Sequence, residues 1–185
     1  QTPDEVAVQT AIYTKKGCAR AIRYAFELAR ERGKKNHVTS ITKSNALGYM
    51  TIWDRTFEEI SEEYQDIDSD SLLIDAACMD LVRRPEVFDV IVAPNLFGDI
   101  VTDIGAIITG SMGLASSANI NPDTSVPSMF EPTHGSAPDI AGQGIANPMA
   151  QILTGAMMLR HLGEHTAAAD VVAAVLELLE QGEIV

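Results

Sequence analysis

Apolar residues recur at three- and four-residue steps through Ala21, Ile22, Ala25, Phe26 and Ala29. The stretch from Cys18 to Arg32 therefore reads as an amphipathic helix that stops at Gly33. His37 to Ile41 is a short β-prone run, and a second helix follows the Lys43-Ser44-Asn45 break through Trp53, Phe57 and Ile60. Leu72 to Ile74 reads as a strand that feeds a helix from Asp75 to Arg84. Phe88 to Ala93 is an almost wholly apolar strand suited to burial on both faces. Leu96 to Ile108 has helical character, whereas Gly113 to Thr133 is rich in Gly, Ser, Asn and Pro and is expected to be largely loop. Asn147 before Pro148 forms a cap and first helical position for an apolar helix over Met149 to Leu162. A last helix spans Ala167 to Leu179 and closes at Gly182, and Glu183 to Val185 looks like the start of a strand. Strands alternating with helices make this an α/β protein, without internal repeats.

The 185 residues, 46% of them hydrophobic, are enough to bury a core. No apolar run approaches the roughly 20 residues that a bilayer requires, so no membrane segment is expected. A formal charge of −13, from 26 acidic and 13 basic residues spread along the chain, argues against a nucleic-acid partner, which needs a basic footprint. Cys18 and Cys78 have no CxxC partner and no His at zinc spacing, and read as two buried free thiols in a reducing cytoplasm. The start, Gln1-Thr2-Pro3, has neither an initiator Met nor the profile of a secretory signal, so a fragment is expected.

The sharpest chemical signal is Asn95-Leu-Phe-Gly-Asp99-Ile-Val-Thr-Asp103, in which Asp99 and Asp103 lie four apart and share a helical face. Spacing alone favours a solvated acidic face. The apolar neighbours Phe97, Ile100, Val101, Ile104 and Ile107 shift the balance toward a pair of ligands for a hard divalent cation, which prefers carboxylate oxygen. Asp75 ends an apolar strand, where α/β proteins place functional groups, but an ordinary helix cap is the simpler reading there. Lys43 also follows a strand and is a general base only if its surroundings lower its pKa; most such lysines are merely exposed. Tyr13 is equally open. The run from Glu131 to Pro148 is dense in residues that allow close backbone approach, and its length favours a ligand loop over a purely structural one. Gly142-Gln-Gly144 lacks the third glycine of GxGxxG, so a standard Rossmann reading fails.

Together, in this order and spacing, the segments Asn95 to Asp103 and Glu131 to Pro148 resemble the metal-binding signature and cofactor loop of the β-decarboxylating hydroxyacid dehydrogenases. That family includes isopropylmalate, isocitrate, homoisocitrate and tartrate/D-malate dehydrogenases. The resemblance implies an isocitrate/isopropylmalate dehydrogenase-like α/β fold, truncated here, with helices packed around a mixed sheet. It divides the chain into 1–108, part of a dimerisation and catalytic domain, and 109–185, part of the cofactor-binding domain. It implies that Asp99 and Asp103 bind Mg²⁺ or Mn²⁺, with Asp75 supplied to the same ion by the neighbouring subunit of a homodimer. Lys43, also donated across the dimer, resembles the base that takes the hydroxyl proton, and Tyr13 the acid that protonates the enol left after CO₂ departs. Asn45 matches a residue near the nicotinamide. His134, Gly135, Ser136, Ala137 and Asn147 look like dinucleotide contacts, and Asp139, followed by Ile140, resembles the ribose-binding acid of an enzyme that uses NAD.

The implied reaction is oxidative decarboxylation of a small 2-hydroxy diacid by a cytoplasmic enzyme. A cation near the reacting oxygens would stabilise the negative charge that develops on them. Lys43-Ser44-Asn45, Asn119 to Pro122 and Glu5 to Gln9 look like the tartrate/D-malate branch. Isopropylmalate dehydrogenase is the close alternative, because the arginines and pocket that set specificity belong to a part that this sequence does not contain. A further alternative is a non-catalytic fragment or interaction subunit, and a weaker one is a metal-binding module without redox activity.

Overall fold

Thr14 starts the first helix: its hydroxyl accepts the Gly17 N–H at 3.1 Å and caps α1, Lys15–Arg32. The helix begins three residues before the apolar periodicity does, because a hydroxyl cap leaves no hydrophobic trace. It ends at Gly33, whose φ of 55° is left-handed and whose N–H donates to the Ala29 carbonyl. These elements are seen in a computed structural model that describes residues 4–182. The chain separates into two units, Gln1–Thr102 and Asp103–Val185.

In the first unit three parallel strands form a sheet in the order β2-β1-β3. β1, His37–Thr42, pairs with β2, Asp68–Leu73, in a register that aligns Thr42 with Leu73. It also pairs with β3, Val90–Val92, with Val38 opposite Val90 and Ser40 opposite Val92. The central strand β1 is buried from Val38 to Thr42, whereas the Asp68-Ser69-Asp70-Ser71 half of β2 is exposed. Polar residues hold a strand there because β2 needs the backbone ladder on only one side, and apolarity had marked only Leu72 to Ile74 as strand.

α1 and α2, Thr51–Ser61, pack together and cover the sheet. Their core joins Ile22 and Phe26 of α1, Val38 of β1, Trp53, Phe57 and Ile60 of α2, Tyr64, and Val90 and Val92 of β3. Phe26 stacks on Tyr64 at a centroid distance of 4.8 Å and lies 5.6 Å from Phe57. The buried indole of Trp53 donates to the Ser40 hydroxyl at 2.9 Å, so the one polar atom of that side chain is satisfied inside the core. Ion pairs rim this core: Arg23 with Glu63, and Arg30 with Asp66. α3, Ile74–Arg83, follows β2 directly and packs on β2 and β1. α4, Asn95–Ile108, follows β3, and the division between the units falls within it.

In the second unit, strands β4, Ser116–Asn119, and β5, Met129–Pro132, form an antiparallel pair. Helices α5, Met149–His161, and α6, His165–Gln181, pack on each other, and α5 also packs on both strands. Gly113 to Thr133, expected to be largely loop, lies for the most part outside these two strands. Ser116–Asn119 and Met129–Pro132 still build a two-stranded ladder, which binds by backbone hydrogen bonds and needs no apolar alternation. The connection between the strands carries the turn chemistry, including Pro122 and a left-handed Thr124 with φ 54°. Cys18 is buried but Cys78 is only half-buried, against the expectation that both thiols lie inside. No helix among the described residues is long and apolar enough to cross a membrane. The expected strand at Glu183 to Val185 lies outside the described residues.

Candidate functional site

Parallel strands end on one side of a sheet, and whatever follows β1 and β2 is delivered to the same edge. Lys43 comes one residue after β1 and Asp75 two residues after β2, and the aligned ends Thr42 and Leu73 bring them together. Lys43 Nζ donates to Asp75 Oδ1 at 2.7 Å. The Lys43 side chain is 26% exposed and that of Asp75 64% exposed, so the pair lies open to solvent on the carboxylate side. The Lys43 ammonium, then backbone N–H donation, holds the Asp75 carboxyl below its ordinary range. Asp75 is the second residue of α3 and Leu73 occupies the cap position, so Asp75 sits in the first turn, where the helix dipole favours an anion.

The backbone around Lys43 is tightly turned. Its carbonyl accepts from Ala46 N at 3.0 Å and Leu47 N at 2.9 Å, and Ser44 N donates to Thr42 Oγ1 at 3.2 Å. Asn45 lies on the exposed outside of this turn. The turn leads into Gly48–Met50, whose Met50 is fully buried. Tyr49 projects from it, and its ring centroid lies 5.2 Å from that of Tyr13, with the planes tilted by 33°. Tyr13 is half-buried and packs against the core below α1. Burial first, then the neighbouring Tyr49 and Cys18, raises the Tyr13 phenol above its ordinary pKa.

Asp99 and Asp103 stand one turn apart on α4, and both are exposed. Phe97, Val101 and Ala106 form the buried stripe of this helix, whereas Ile100 is 42% and Ile107 68% exposed. The apolar neighbourhood expected to shield the two carboxylates is thus half open in the single chain, because α4 buries only one stripe. Among the described residues no three His, Cys, Asp or Glu side chains gather closely enough to hold an ion. The donors that α4 offers, two water-accessible carboxylates on one face, fit a hard divalent cation that takes further oxygen ligands from elsewhere.

In the second unit, the loop between β5 and α5 presents His134, Gly135, Ser136, Ala137 and Asp139 to solvent, with Asn147 half-buried at its end. His134 Nδ1 lies 2.9 Å from the Gly135 carbonyl. Ala137 is left-handed with φ 41°, and Gly142 and Gly144 have φ of 77° and 70°, so the backbone reverses repeatedly over a short span. Gln143 Nε2 donates to the Asp139 carbonyl at 2.7 Å, which braces the turn and leaves the exposed Asp139 side chain outside that bond. Asn147 Oδ1 accepts the Met149 N–H at 2.9 Å, while Pro148 occupies the formal cap, one residue later than expected. A Cβ on Gly113 would come within 3.1 Å of Asn147 Cβ, so glycine is what lets the loop end settle there. Exposed backbone, turn glycines and a free-standing carboxylate are groups that suit a dinucleotide's phosphates and ribose.

Sequence reasoning did not single out Tyr49 or Thr42. The first had no signal, since an aromatic six residues after Lys43 meets Tyr13 only through the fold. Thr42 could have been found as a strand-terminal hydroxyl two residues before Ser44.

The whole chain, residues 1–185, matches the isocitrate/isopropylmalate dehydrogenase family. It is 52% identical over 179 residues to a probable tartrate dehydrogenase/decarboxylase of Bacillus subtilis, covering 96% of this chain and 49% of that protein. It is 50% identical over 181 residues to a 3-isopropylmalate dehydrogenase of Thermobifida fusca, covering 97% of this chain and 51% of that protein. The crystal structure of an isocitrate dehydrogenase from Methylococcus capsulatus superimposes with a TM-score of 0.89 at 46% identity, over 94% of this chain and 50% of that one. The chain thus spans about half the length of the curated relatives it matches.

Proposed function

The chain belongs to the isocitrate/isopropylmalate dehydrogenase family, and from that premise we propose that the whole protein is an NAD- and divalent-metal-dependent enzyme that oxidises and decarboxylates a small 2-hydroxy diacid of the tartrate/D-malate type. The observation that carries this reading is the Lys43–Asp75 pair, a lysine and a carboxylate held 2.7 Å apart at the carboxyl ends of parallel strands.

Held by Asp99 and Asp103 of one subunit and Asp75 of its neighbour, Mg²⁺ or Mn²⁺ would supply positive charge to offset the negative charge that grows on the substrate oxygens. Lys43, in its neutral amine form, would take the hydroxyl proton as the adjacent carbon is oxidised, with a bound nicotinamide supplying the hydride acceptor. After CO₂ departs, Tyr13 would return a proton to the enol carbon, a role open to a phenol because with an ordinary pKa of about 10 it is protonated at neutral pH. The loop 131–148 would hold the cofactor through His134, Gly135, Ser136, Ala137 and Asn147, with Asp139 suited to the ribose hydroxyls and Asn45 to the nicotinamide end. Residues 1–108 carry the acid, base and metal groups and 109–185 the cofactor loop, in a soluble cytoplasmic homodimer whose sites are shared.

The dimer is supported by apolar groups that a single chain leaves in water: Val6 is 82%, Val8 87% and Ile12 85% exposed along a segment without regular structure, and Ile107 is 68% exposed on α4. A second substrate reading, isopropylmalate, is favoured by the 50% identity to the Thermobifida fusca protein. Assay of the full-length protein with NAD⁺, Mn²⁺ and D-malate, tartrate, isopropylmalate or isocitrate separates the two. The highest kcat/KM on D-malate or tartrate is the expected result. A preference for isopropylmalate replaces the first reading by the second, and no activity on any of the four overturns both.

A further inference from the structure

The Tyr13 ring sits at a junction. Ahead of it residues 5–12 are exposed and without regular structure, and behind it Thr14 caps a helix anchored in the core. A phenol there that is to deliver a proton to a single carbon must be held in one orientation, since errors of about 1 Å cost as much as roughly a hundredfold in rate. The core touches Tyr13 from the side of α1. Its other recorded ring neighbour is Tyr49, at 5.2 Å and 33°, a tilted geometry within the range that aromatic pairs prefer.

Tyr49 is well placed to act as a wall. Its backbone belongs to the Gly48–Met50 turn, fixed by the fully buried Met50 and by Met50 N donating to the Leu47 carbonyl at 2.8 Å. The ring nevertheless stays 43% exposed, so it adds less to the core than a buried aromatic would, and its contact falls on Tyr13. The same turn begins at Lys43, which ties the segment bearing the candidate acid to the segment bearing the candidate base.

We propose that Tyr49 is a positioning residue for Tyr13: its ring, carried on the turn that starts at Lys43, holds the Tyr13 phenol in the orientation from which it protonates the enol. This rests on the reading of Tyr13 as the acid. The function belongs to the ring face, so phenylalanine serves in place of tyrosine, whereas a side chain without a ring does not.

The test uses the full-length enzyme with NAD⁺, Mn²⁺ and its best substrate of the four. Steady-state kinetics are combined with ultraviolet detection of enol released before it ketonises in solution. Tyr49→Ala is expected to lower kcat by about tenfold, with KM for substrate and Mn²⁺ within about twofold, and to release free enol. Tyr49→Leu, which fills the space without a ring, is expected to do the same and serves if the alanine variant is unstable. Tyr49→Phe is expected to stay within about twofold of the parent and release none. Tyr13→Phe should release enol whatever Tyr49 does; if it does not, Tyr13 is not the acid and both ideas fall. If Tyr13→Phe releases enol while Tyr49→Ala and Tyr49→Leu match the parent, the role of Tyr49 alone is overturned. Equal losses in Tyr49→Phe and Tyr49→Leu also overturn it, since the ring would then not be what matters.

Discussion

Lys43 and Asp75, 32 residues apart in sequence, are joined within one chain by a 2.7 Å bond from Nζ to Oδ1. Whichever subunit gives one of them to a site therefore gives the other. In mixed dimers of the full-length protein, Lys43→Ala with Asp103→Ala should regain activity, because one of the two hybrid sites has every native group. Random mixing would leave about a quarter of all sites intact. Lys43→Ala with Asp75→Ala should regain none, since each hybrid site lacks one donor. Activity assays on mixed dimers verified by mass would show it; rescue in the second mixture would count against donation of the two residues by the same subunit.

Asp99→Asn and Asp103→Asn each remove one charge from the α4 face. Each should raise the Mn²⁺ concentration needed for half-maximal rate by at least about tenfold, the lower end of what supporting groups around a metal are worth. Both carboxylates are exposed, so circular dichroism and melting temperature should hardly change. Normal turnover at limiting Mn²⁺ in both variants would sink the metal reading.

Cofactor choice turns on Asp139, whose exposed carboxylate is followed by Ile140. An anionic acceptor suits a ribose diol and repels a 2′-phosphate. NAD⁺ should be preferred, and Asp139→Lys with Ile140→Tyr should move the kcat/KM ratio toward NADP⁺ by about a hundredfold, well below the roughly 10⁴-fold that buried unpaired polar groups can give, because Asp139 is exposed. A parent enzyme that already prefers NADP⁺ would leave Asp139 as a turn residue.

Asp89 controls a pH response of the fold. Its side chain is 1% exposed and accepts from Arg32 Nε at 3.0 Å and Lys35 N at 3.1 Å, tying the end of α1 to the start of β3. Burial alone would raise its pKa, but Arg32, the Lys35 N–H and further backbone donation outweigh it and hold the carboxyl below the ordinary range. The folded value is thus lower than the unfolded one. The stabilisation is fully present above the unfolded Asp range and is lost as pH falls through the folded value. Asp89→Asn should cost about 1.5–3 kcal/mol at neutral pH, the usual range for a hydrogen bond to a charged group, and flatten the acid limb of the stability curve. Urea melts from neutral pH downward measure this, and parallel curves for parent and variant would refute it.

The helices around Ile22, Phe57 and Leu81 were legible because burial imposes a 3.6-residue period on the chain, and the central strands because strands covered on both faces read as short β-prone or apolar runs. The acidic pair on α4 and the turn-rich loop ending at Asn147 could be singled out from the sequence because spacing over a few residues, taken with the residue types around it, is enough to propose what such groups could bind. β2 and the β4–β5 pair were only partly legible, because a ladder is made by partners distant in sequence and tolerates the polar Asp68-Ser69-Asp70 and Ser116-Ser117. Which of the singled-out residues meet was decided by the fold alone. The parallel register aligned the ends of β1 and β2 and so paired Lys43 with Asp75, and the burial of Met50 set the Tyr49 ring against Tyr13. Local spacing fixes what each segment can do; long-range packing decides which segments do it together.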